Sequence, residues 1–353
     1  MPSKWRHGNR LVLILLLLGI FFVFSLFLAS AFGAVSISLP SIFKMTLSKL
    51  AFLNSPASWT STDETIIFQI RLPRVIGSAF VGAALATAGA LFQGLLRNPM
   101  ADPYIIGTSA GAALGATVAM MLPISLNFLG FGLLPIAAFL GALATVIMVY
   151  RIARVGDKTP IVNMLLAGFV VSSLLGAIMA FLMSMSGRIG LNLQSVYSYL
   201  MGNISVTSWQ QIAVIAPLVI GGIIGAQFFA FHLNAFSLGE EGAAHLGINV
   251  EHDKMLILAL GSMLTAAAVS ISGLIGFVGL VVPHAVRLSL GPDHRVLLPA
   301  SALAGGAFVV MADLLARTLL APAEIPVGVI TAIIGAPFFI YLLRRTKREY
   351  AFV

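Results

Sequence analysis

Long uncharged apolar runs recur along the chain, separated by short segments rich in proline, glycine and charged residues. Most of these runs reach about 18 residues, the length that an α-helix needs to cross a bilayer. They are too long and too evenly apolar to be the short alternating strands of an outer-membrane barrel. The pattern predicts ten membrane crossings, at Leu11–Phe32, Val75–Leu96, Tyr104–Met121, Leu133–Ile152, Ile161–Met183, Ile212–Phe231, Met255–Ile271, Leu274–Val286, Leu297–Leu315 and Val327–Leu343.

The composition indicates the same class of protein. Hydrophobic residues make up 59% of the 353 positions and charged residues only 9%, whereas soluble domains carry about a quarter charged residues. We therefore expect an all-α, multi-pass protein of the cell membrane, with residues 1–353 in a single transmembrane domain. The first apolar run exceeds the ~7–15 residues of a signal-peptide core, which favours a retained crossing. The absence of cysteine excludes disulfides and thiolate metal sites.

The basic residues fall mainly on one side of the predicted topology. Ten crossings place both termini on the same side, and 14 of the 20 lysines and arginines lie there. Because cytoplasmic loops carry an excess of lysine and arginine, both termini are expected to be cytoplasmic. The topology accounts for the net charge of +8, so this charge does not indicate nucleic acid as a partner.

Three arginines lie at helix ends on the opposite side, where arginine should be scarce. They are Arg71, Arg74 and Arg317. One interpretation is that their guanidinium groups bind an acidic partner outside the cell. The other is that long basic side chains simply anchor helix ends at the membrane interface. Asp313 stands four residues before Arg317, and we interpret it as the i,i+4 partner of that arginine at the outer interface.

Two polar segments are predicted on the cytoplasmic side. The loop after the second crossing contains Pro99 and Pro103, each of which removes a backbone donor and interrupts a helix. Residues 236–254 form the main acidic stretch, and their spacing predicts a short amphipathic helix ending at Gly247 and a second one over Asn249–Lys254. Glycines recur every fourth residue at Gly107, Gly111 and Gly115. This spacing predicts a helix with no side chains along one side, against which another helix can pack closely.

Eight motifs run in order from Arg71 nearly to the C-terminus. They are RLPR at 71–74, GALFQGLLRNPMADPYIIGTSAGA at 89–112, LLAG at 165–168, LGEEGAAHLGINV at 238–250, SGLIGFVGLVVPHAVR at 272–287, DHRVLLPASALAGG at 293–306, ADLLAR at 312–317 and EIPVGVITAIIGAPFFIYLLRR at 324–345. Each motif alone is a weak signal, but the combination is specific. In this order they resemble the FecCD family, the permease subunits of ATP-binding-cassette (ABC) importers for iron-siderophores, haem and cobalamin.

The resemblance implies a type II ABC importer permease fold and a homodimer of ten-helix subunits. Two cytoplasmic ATPase subunits and an extracytoplasmic substrate-binding protein would complete the importer. The arginines that receive acidic residues of the binding protein in this family correspond to Arg71, Arg74 and Arg317. The coupling helices that contact the ATPase correspond to the segment with Glu240, Glu241, Ala243, Ala244, Leu246 and Gly247. The cytoplasmic gate corresponds to Asn98, Met100 and, near the start of the fifth crossing, Thr159.

The sequence argues against several other functions. It contains no Gly-Lys-Ser/Thr phosphate loop, so ATP and Mg are expected on the partner ATPase and no cofactor on this chain. It has no His-Glu-x-x-His pattern, and neither a metal site nor a catalytic residue is predicted. A rival interpretation is a secondary transporter driven by an ion gradient, which would need ionisable groups at mid-membrane. An intramembrane hydrolase would need paired aspartates, or a serine with a histidine base, at that depth.

Overall fold

The computed structural model describes residues 2–33, 37–38, 40–42, 44–45, 48 and 59–350, with the backbone alone at 2–11, 189, 342–343 and 345–350. The polar connection after the first crossing, whose length predicts surface helices, lies partly outside these residues. The helices with described bounds are, in chain order, α1 Pro2–Ala31, α2 Ser61–Thr65, α3 Leu72–Leu95, α4 Thr108–Met121, α5 Leu133–Ala153, α6 Ile161–Ser184, α7 Ser186–Ile189, α8 Leu193–Leu200, α9 Trp209–Phe228, α10 Ala230–Phe236, α11 Glu240–His245, α12 Val250–Ser272, α13 Val278–Leu290, α14 His294–Thr318 and α15 Val327–Tyr350.

Ten apolar helical segments among the described residues account for the predicted crossings. Seven are long and apolar enough to span a membrane: Val12–Ala31, Ser61–Leu95, Leu133–Ala153, Ile161–Ser184, Trp209–Phe228, Val250–Ser272 and His294–Thr318. Three are shorter, at Thr108–Met121, Val278–Leu290 and Val327–Tyr341. Each predicted crossing overlaps one of these segments, so the all-helical membrane fold is confirmed.

The bundle has an inner end, on the predicted cytoplasmic side, and an outer end on the opposite side. The inner end carries residues 96–107, 154–160 and 237–249, and the outer end carries residues 122–132 and 319–326. One loop of the inner end contacts a helix there directly, because the N–H of Thr159 donates at 2.8 Å to the carboxylate of Glu251 in the first turn of α12. Both ends hold clusters of charged side chains, and the apolar helices between them keep these clusters apart.

Helix α3 lies at the centre of the bundle because small side chains let other helices approach its backbone. Its residues from Val75 to Leu95 are almost all buried. A Cβ added at Gly82 would collide with the carbonyl of Gly305 on α14, and one added at Gly89 would collide with the carbonyl of Gly279 on α13. Such glycine contacts let helices pack closely in a membrane, where the surrounding lipid is as apolar as the helices themselves.

The three regularly spaced glycines of the next crossing lie in two different settings. Gly111 and Gly115 are on α4, where an added Cβ would collide with α5, at Thr145 and at the carbonyl of Ala137 respectively. Gly107 instead precedes the helix with a φ of 88°. Glycine adopts this left-handed conformation without the steric cost of a side chain. The repeat in sequence therefore combines a turn with a helix-packing surface.

The prediction of a separate short helix over Asn249–Lys254 is wrong. These residues form the N-terminal cap and first turn of α12, which continues to Ser272. The Asn249 side chain accepts a hydrogen bond from the N–H of His252 at 3.2 Å, as an N-cap residue does. Because nothing breaks the helix between this cap and the apolar run, the polar turn and the crossing are one rigid helix.

The start of the eighth crossing also differs from the prediction. Helix α13 begins at Val278 and not at Leu274. Gly273 and Phe277 have φ values of 62° and 68°, which no continuous right-handed helix can contain. The N–H of Leu274 donates instead to the carbonyl of Tyr199 at 3.1 Å. Hydropathy does not register such a backbone turn, because the residues of the turn are themselves apolar.

Candidate functional site

An ion-pair cluster at the outer end brings together the three arginines singled out from the sequence. This outer cluster consists of Arg71, Arg74, Asp313, Arg317 and Glu324. Asp313 is fully buried, and its Oδ1 lies 3.0 Å from Nη2 of Arg74 while its Oδ2 lies 2.9 Å from Nε of Arg317. A buried carboxylate needs such partners because an unpaired charge away from water is costly. The pair between Asp313 and Arg317 that the i,i+4 spacing predicts is present.

Arg74 also contacts a second carboxylate, which lies near the surface. Its Nη1 is 3.0 Å from Oε2 and 3.1 Å from Oε1 of Glu324. The Glu324 side chain is 41% exposed and the Arg74 side chain 17% exposed. The Arg74 guanidinium therefore contacts the buried Asp313 on one side and the partly exposed Glu324 on the other.

Arg71 and Arg317 contact the C-terminal end of α1. Nη1 of Arg71 donates to the carbonyl of Ala31 at 3.1 Å, and Nη2 of Arg317 donates to the carbonyl of Ala29 at 3.2 Å. The last carbonyls of a helix have no partner within it, and a cation there is favourable. Arg71 is 5% exposed and Arg317 6% exposed, so Arg74 is the most accessible of the three arginines. That all three dock a partner stays a prediction.

A π-helix over Ile66–Arg71 leads into the segment that carries these arginines. In a π-helix each carbonyl accepts from the residue five positions later. For Phe68 that residue is Pro73, which has no N–H to donate. The indole N–H of Trp209 donates to the Phe68 carbonyl instead, at 2.8 Å. Trp209 thus fixes the outer end of α9 to the π-helix, a contact that sequence reasoning missed because nothing in the spacing relates the two segments.

A buried lysine organises the inner end. This inner lysine network consists of Lys254, Glu240, Glu251 and Thr159. Lys254 is 8% exposed, and its Nζ lies 2.8 Å from Oε1 of Glu240 and 2.9 Å from Oε1 of Glu251. Oε2 of Glu251 accepts the N–H of Thr159 at 2.8 Å. The network therefore connects α11, α12 and the residues that lead into α6.

The predicted coupling segment divides its side chains between the bundle and solvent. Helix α11 begins after Gly239 and the chain turns again at Gly247, with φ values of 95° and 81°. Ala243 is fully buried beneath the helix. Glu241, Ala244 and Leu246 are exposed on the opposite side. Ala244 and Leu246, two apolar residues of the predicted amphipathic helix, thus lie on the exposed side with Glu241, and the helix is shorter than the spacing suggested.

The predicted gate residues do not lie in one place. Asn98 is exposed, and its Oδ1 accepts the N–H of Met100 at 2.9 Å, which fixes the turn between α3 and α4. Thr159 is buried and belongs to the inner lysine network. It lines a small gap with Leu95 and Lys254, separate from the larger cavity at Asn98. Asn98 and Met100 are thus neighbours, whereas Thr159 contacts the coupling segment.

The cavity beside Asn98 has a volume of about 460 Å³ and contains polar groups that sequence reasoning missed. Arg287 lines it and donates through Nη1 to Oε1 of Gln93 at 2.8 Å. The Gln93 amide in turn donates to the carbonyl of Leu280 at 3.2 Å. A glutamine within an apolar crossing was the available signal, because buried amides require partners. These contacts join α3 to α13 at the inner end.

Asp102 is a largely buried carboxyl in the turn that follows. Burial raises its pKa to about 6, and the hydrogen bond from the N–H of Tyr104, at 2.8 Å, partly offsets that effect. The hydroxyl of Tyr104 donates to the carbonyl of Ile275 at 3.0 Å. Neither group faces a cation among the ion pairs of the described residues. The turn is held by hydrogen bonds and not by salt bridges.

The described residues contain no group of three or more His, Cys, Asp or Glu side chains that could hold a metal ion. What they contain is an apolar helical bundle with a charged cluster at each end and, at the inner end, a cavity that several polar side chains line. This arrangement defines a multi-pass helical membrane protein with polar surfaces available on both sides. The FecCD transport family matches residues 17–345, and the chain belongs to this family of ABC importer permeases.

Several relatives resemble the chain over most of its length. It is 50% identical over 283 residues to the cobalamin import system permease protein of Halobacterium salinarum, covering 80% of this chain and 74% of that protein. It is 41% identical over 294 residues to the hemin transport system permease protein of Yersinia pestis, covering 82% and 87%. A solved structure described as an inward-facing conformation of a metal-chelate type ABC transporter matches with a TM-score of 0.80 and 30% identity, covering 94% of this chain and 99% of that one.

Proposed function

We propose that the chain is the permease subunit through which an ABC importer moves an iron-siderophore, haem or cobalamin complex into the cytoplasm. The observation that carries this proposal is the family match over residues 17–345. The relatives named for cobalamin and hemin support this class of cargo. Transport is driven by ATP hydrolysis on two partner ATPase subunits, and two copies of the chain form the pathway between them.

Cargo arrives on an extracytoplasmic binding protein that docks at the outer cluster. A guanidinium group can hold a carboxylate through two parallel hydrogen bonds, which gives orientation as well as attraction. Arg74 supports this role because part of its side chain reaches solvent beside Glu324. Arg71 and Arg317 place two further positive charges within the same cluster, and these would add to the attraction for an acidic partner.

At the inner end, the ATPase contacts α11 and moves it when ATP binds. The exposed Glu241, Ala244 and Leu246 supply the contact surface. Lys254 then carries the displacement to the start of α6, because it holds Glu240 while its neighbour Glu251 holds Thr159. Asn98 and Met100 form the constriction that opens or closes as these helices shift.

Transport by the reconstituted complex tests this function. Vesicles containing the permease and its ATPase subunits should accumulate ferric siderophore, haem or cobalamin when ATP and the binding protein are supplied. A variant of the partner ATPase that lacks its phosphate-loop lysine serves as the control and should abolish uptake. Uptake by the permease alone under a proton gradient would instead favour the secondary-transporter interpretation.

A further inference from the structure

Arg74 divides its guanidinium group between two carboxylates that differ in burial. Nε and Nη2 both lie 3.0 Å from Oδ1 of the fully buried Asp313. Nη1 has its contacts with Glu324, whose side chain is 41% exposed. The inward side of the guanidinium is therefore occupied by the protein interior, and the outward side by a residue of the surface connection between α14 and α15.

These two contacts differ in how readily they can be exchanged. Separating Arg74 from Asp313 would leave a buried carboxylate with less compensation, which is strongly unfavourable. Separating Arg74 from Glu324 exposes groups that water can solvate, and surface ion pairs contribute little. Because Asp313 holds two atoms of the guanidinium, Arg74 would stay in position when Glu324 leaves.

We propose that Glu324 is an internal competitor for the docking site, which occupies Nη1 of Arg74 until a carboxylate of the binding protein replaces it. The inference rests on the proposed docking function and adds a residue to it. Glu324 presents the same chemical group that an acidic partner would present, on the same atom. Its negative charge also repels an approaching acidic surface. Glu324 thus limits the affinity of docking and favours release once the cargo has been delivered.

The test is the affinity of the importer complex, assembled with its ATPases in lipid nanodiscs, for the binding protein of the same importer. Glu324→Gln keeps the size of the side chain and removes its charge. We expect binding to become about two- to fivefold tighter, the change that corresponds to loss of a surface ion pair. The effect should be largest at low salt, where surface charges are least screened. Glu324→Ala should act in the same direction.

Asp63→Asn is the matched control. Asp63 lies eleven residues before Arg74 on a continuous helical stretch, so the two are about 16 Å apart by helical rise. Asparagine can still accept the hydrogen bond that Asp63 receives from the N–H of Thr60. The substitution therefore removes one negative charge from the outer end without touching Arg74. At physiological salt it should leave the affinity within about 1.5-fold of the parent, because the separation exceeds the screening length.

A double-mutant cycle makes the proposal specific. In an Arg74→Gln background, Glu324→Gln should tighten binding clearly less than in the parent, because the atom for which it competes is gone and only its charge repulsion remains. Unchanged or weaker binding by Glu324→Gln in the parent background would overturn the competitor role. If the triple change of Arg71, Arg74 and Arg317 to glutamate also left the affinity unchanged, the docking function itself would fail. If that triple variant kept its melting temperature and weakened binding, docking would stand and only the role of Glu324 would be lost.

Discussion

The outer cluster and the inner lysine network are arranged around buried ions of opposite sign. At the outer end two arginines surround the buried carboxylate of Asp313, and Arg71 lies beside them. At the inner end two glutamates surround the buried ammonium of Lys254. Among these side chains the outer end has an excess of positive charge and the inner end an excess of negative charge. On the proposed function, the outer excess of positive charge suits an acidic binding protein, and the inner excess of negative charge suits basic groups on the ATPase.

The two clusters also differ in what they connect. The outer cluster joins the end of α1, the start of α3 and the end of α14, all long helices of the bundle. The inner network joins one long helix to the short α11 and to a loop. A partner at the outer end therefore meets a rigid surface, whereas a partner at the inner end can move a small element relative to the bundle.

The largest effect should come from removing the buried acid of the outer cluster. Asp313→Asn leaves Arg317 without the negative charge that compensates it and Arg74 with Glu324 alone, and breaking a buried pair costs about 3–5 kcal/mol. We expect a large loss of thermal stability of the purified protein. Glu324→Gln is the control, and it should cost less than about 1 kcal/mol because that pair is partly exposed. Similar melting temperatures for the two variants would contradict the distinction between them.

The next effect tests the buried cation of the inner end. Lys254→Met removes the charge to which Glu240 and Glu251 are bound, and hydrogen bonds to charged groups contribute about 1.5–3 kcal/mol. We expect cargo transported per ATP hydrolysed to fall severalfold while ATP hydrolysis continues. Lys158→Met changes an exposed lysine of the neighbouring loop and should preserve the ratio. An unchanged ratio in the Lys254 variant would rule out this route for coupling.

Asp102 lies in neither cluster, and its pKa shows the effect of burying a carboxyl without a cation beside it. The pKa of Asp102 is raised to about 6 by burial, so the folded protein binds its proton more tightly than the unfolded chain does. Its contribution to stability is complete below about pH 4 and is lost as the pH rises through 6. Between pH 7 and pH 5 the protein should gain about 1 kcal/mol relative to the Asp102→Asn variant. Parallel pH profiles of thermal stability for the two proteins would contradict this assignment.

The smallest effect concerns the contact between α9 and the π-helix. Trp209→Phe keeps an aromatic side chain and removes the hydrogen bond to the Phe68 carbonyl, which should cost about 0.5–1 kcal/mol. Because this segment leads into Arg71, the variant should also weaken docking slightly. Rapid hydrogen exchange confined to residues 66–71 would locate the change. An exchange pattern identical to that of the parent would show that the contact contributes nothing.

The fold was largely predictable from the sequence, and the contacts within the two clusters were not. Apolar runs bounded by charge, proline and glycine fix helices because the bilayer offers no partner for open backbone groups. The pair between Asp313 and Arg317 was predictable because it lies within one helix turn. The pair between Arg74 and Glu324 spans 250 residues, and no local periodicity relates them.

Thr159 illustrates the same limit at the inner end. Its position near the start of a crossing fitted a gate residue by resemblance. Its N–H donates to Glu251, a residue of another helix, and the resemblance did not imply this contact. The acidic stretch could be recognised as polar from its composition. Which of its carboxylates would reach Lys254, and which would face solvent, depended on the packing of α11 against the bundle.

The π-helix at Ile66–Arg71 has a consequence for how the chain tolerates changes in length. A π-turn holds one residue more than an α-turn, and each residue of an α-helix advances the side chains by about 100°. Deleting one residue from 66–70 could return the segment to an ordinary α-helix, with Arg74 still anchored by Asp313. The preceding α2 would keep nearly the same orientation, because the residue removed is the extra one of the π-turn. This stretch can thus absorb a single-residue deletion that elsewhere in α3 would shift the buried glycine contacts on one side of it.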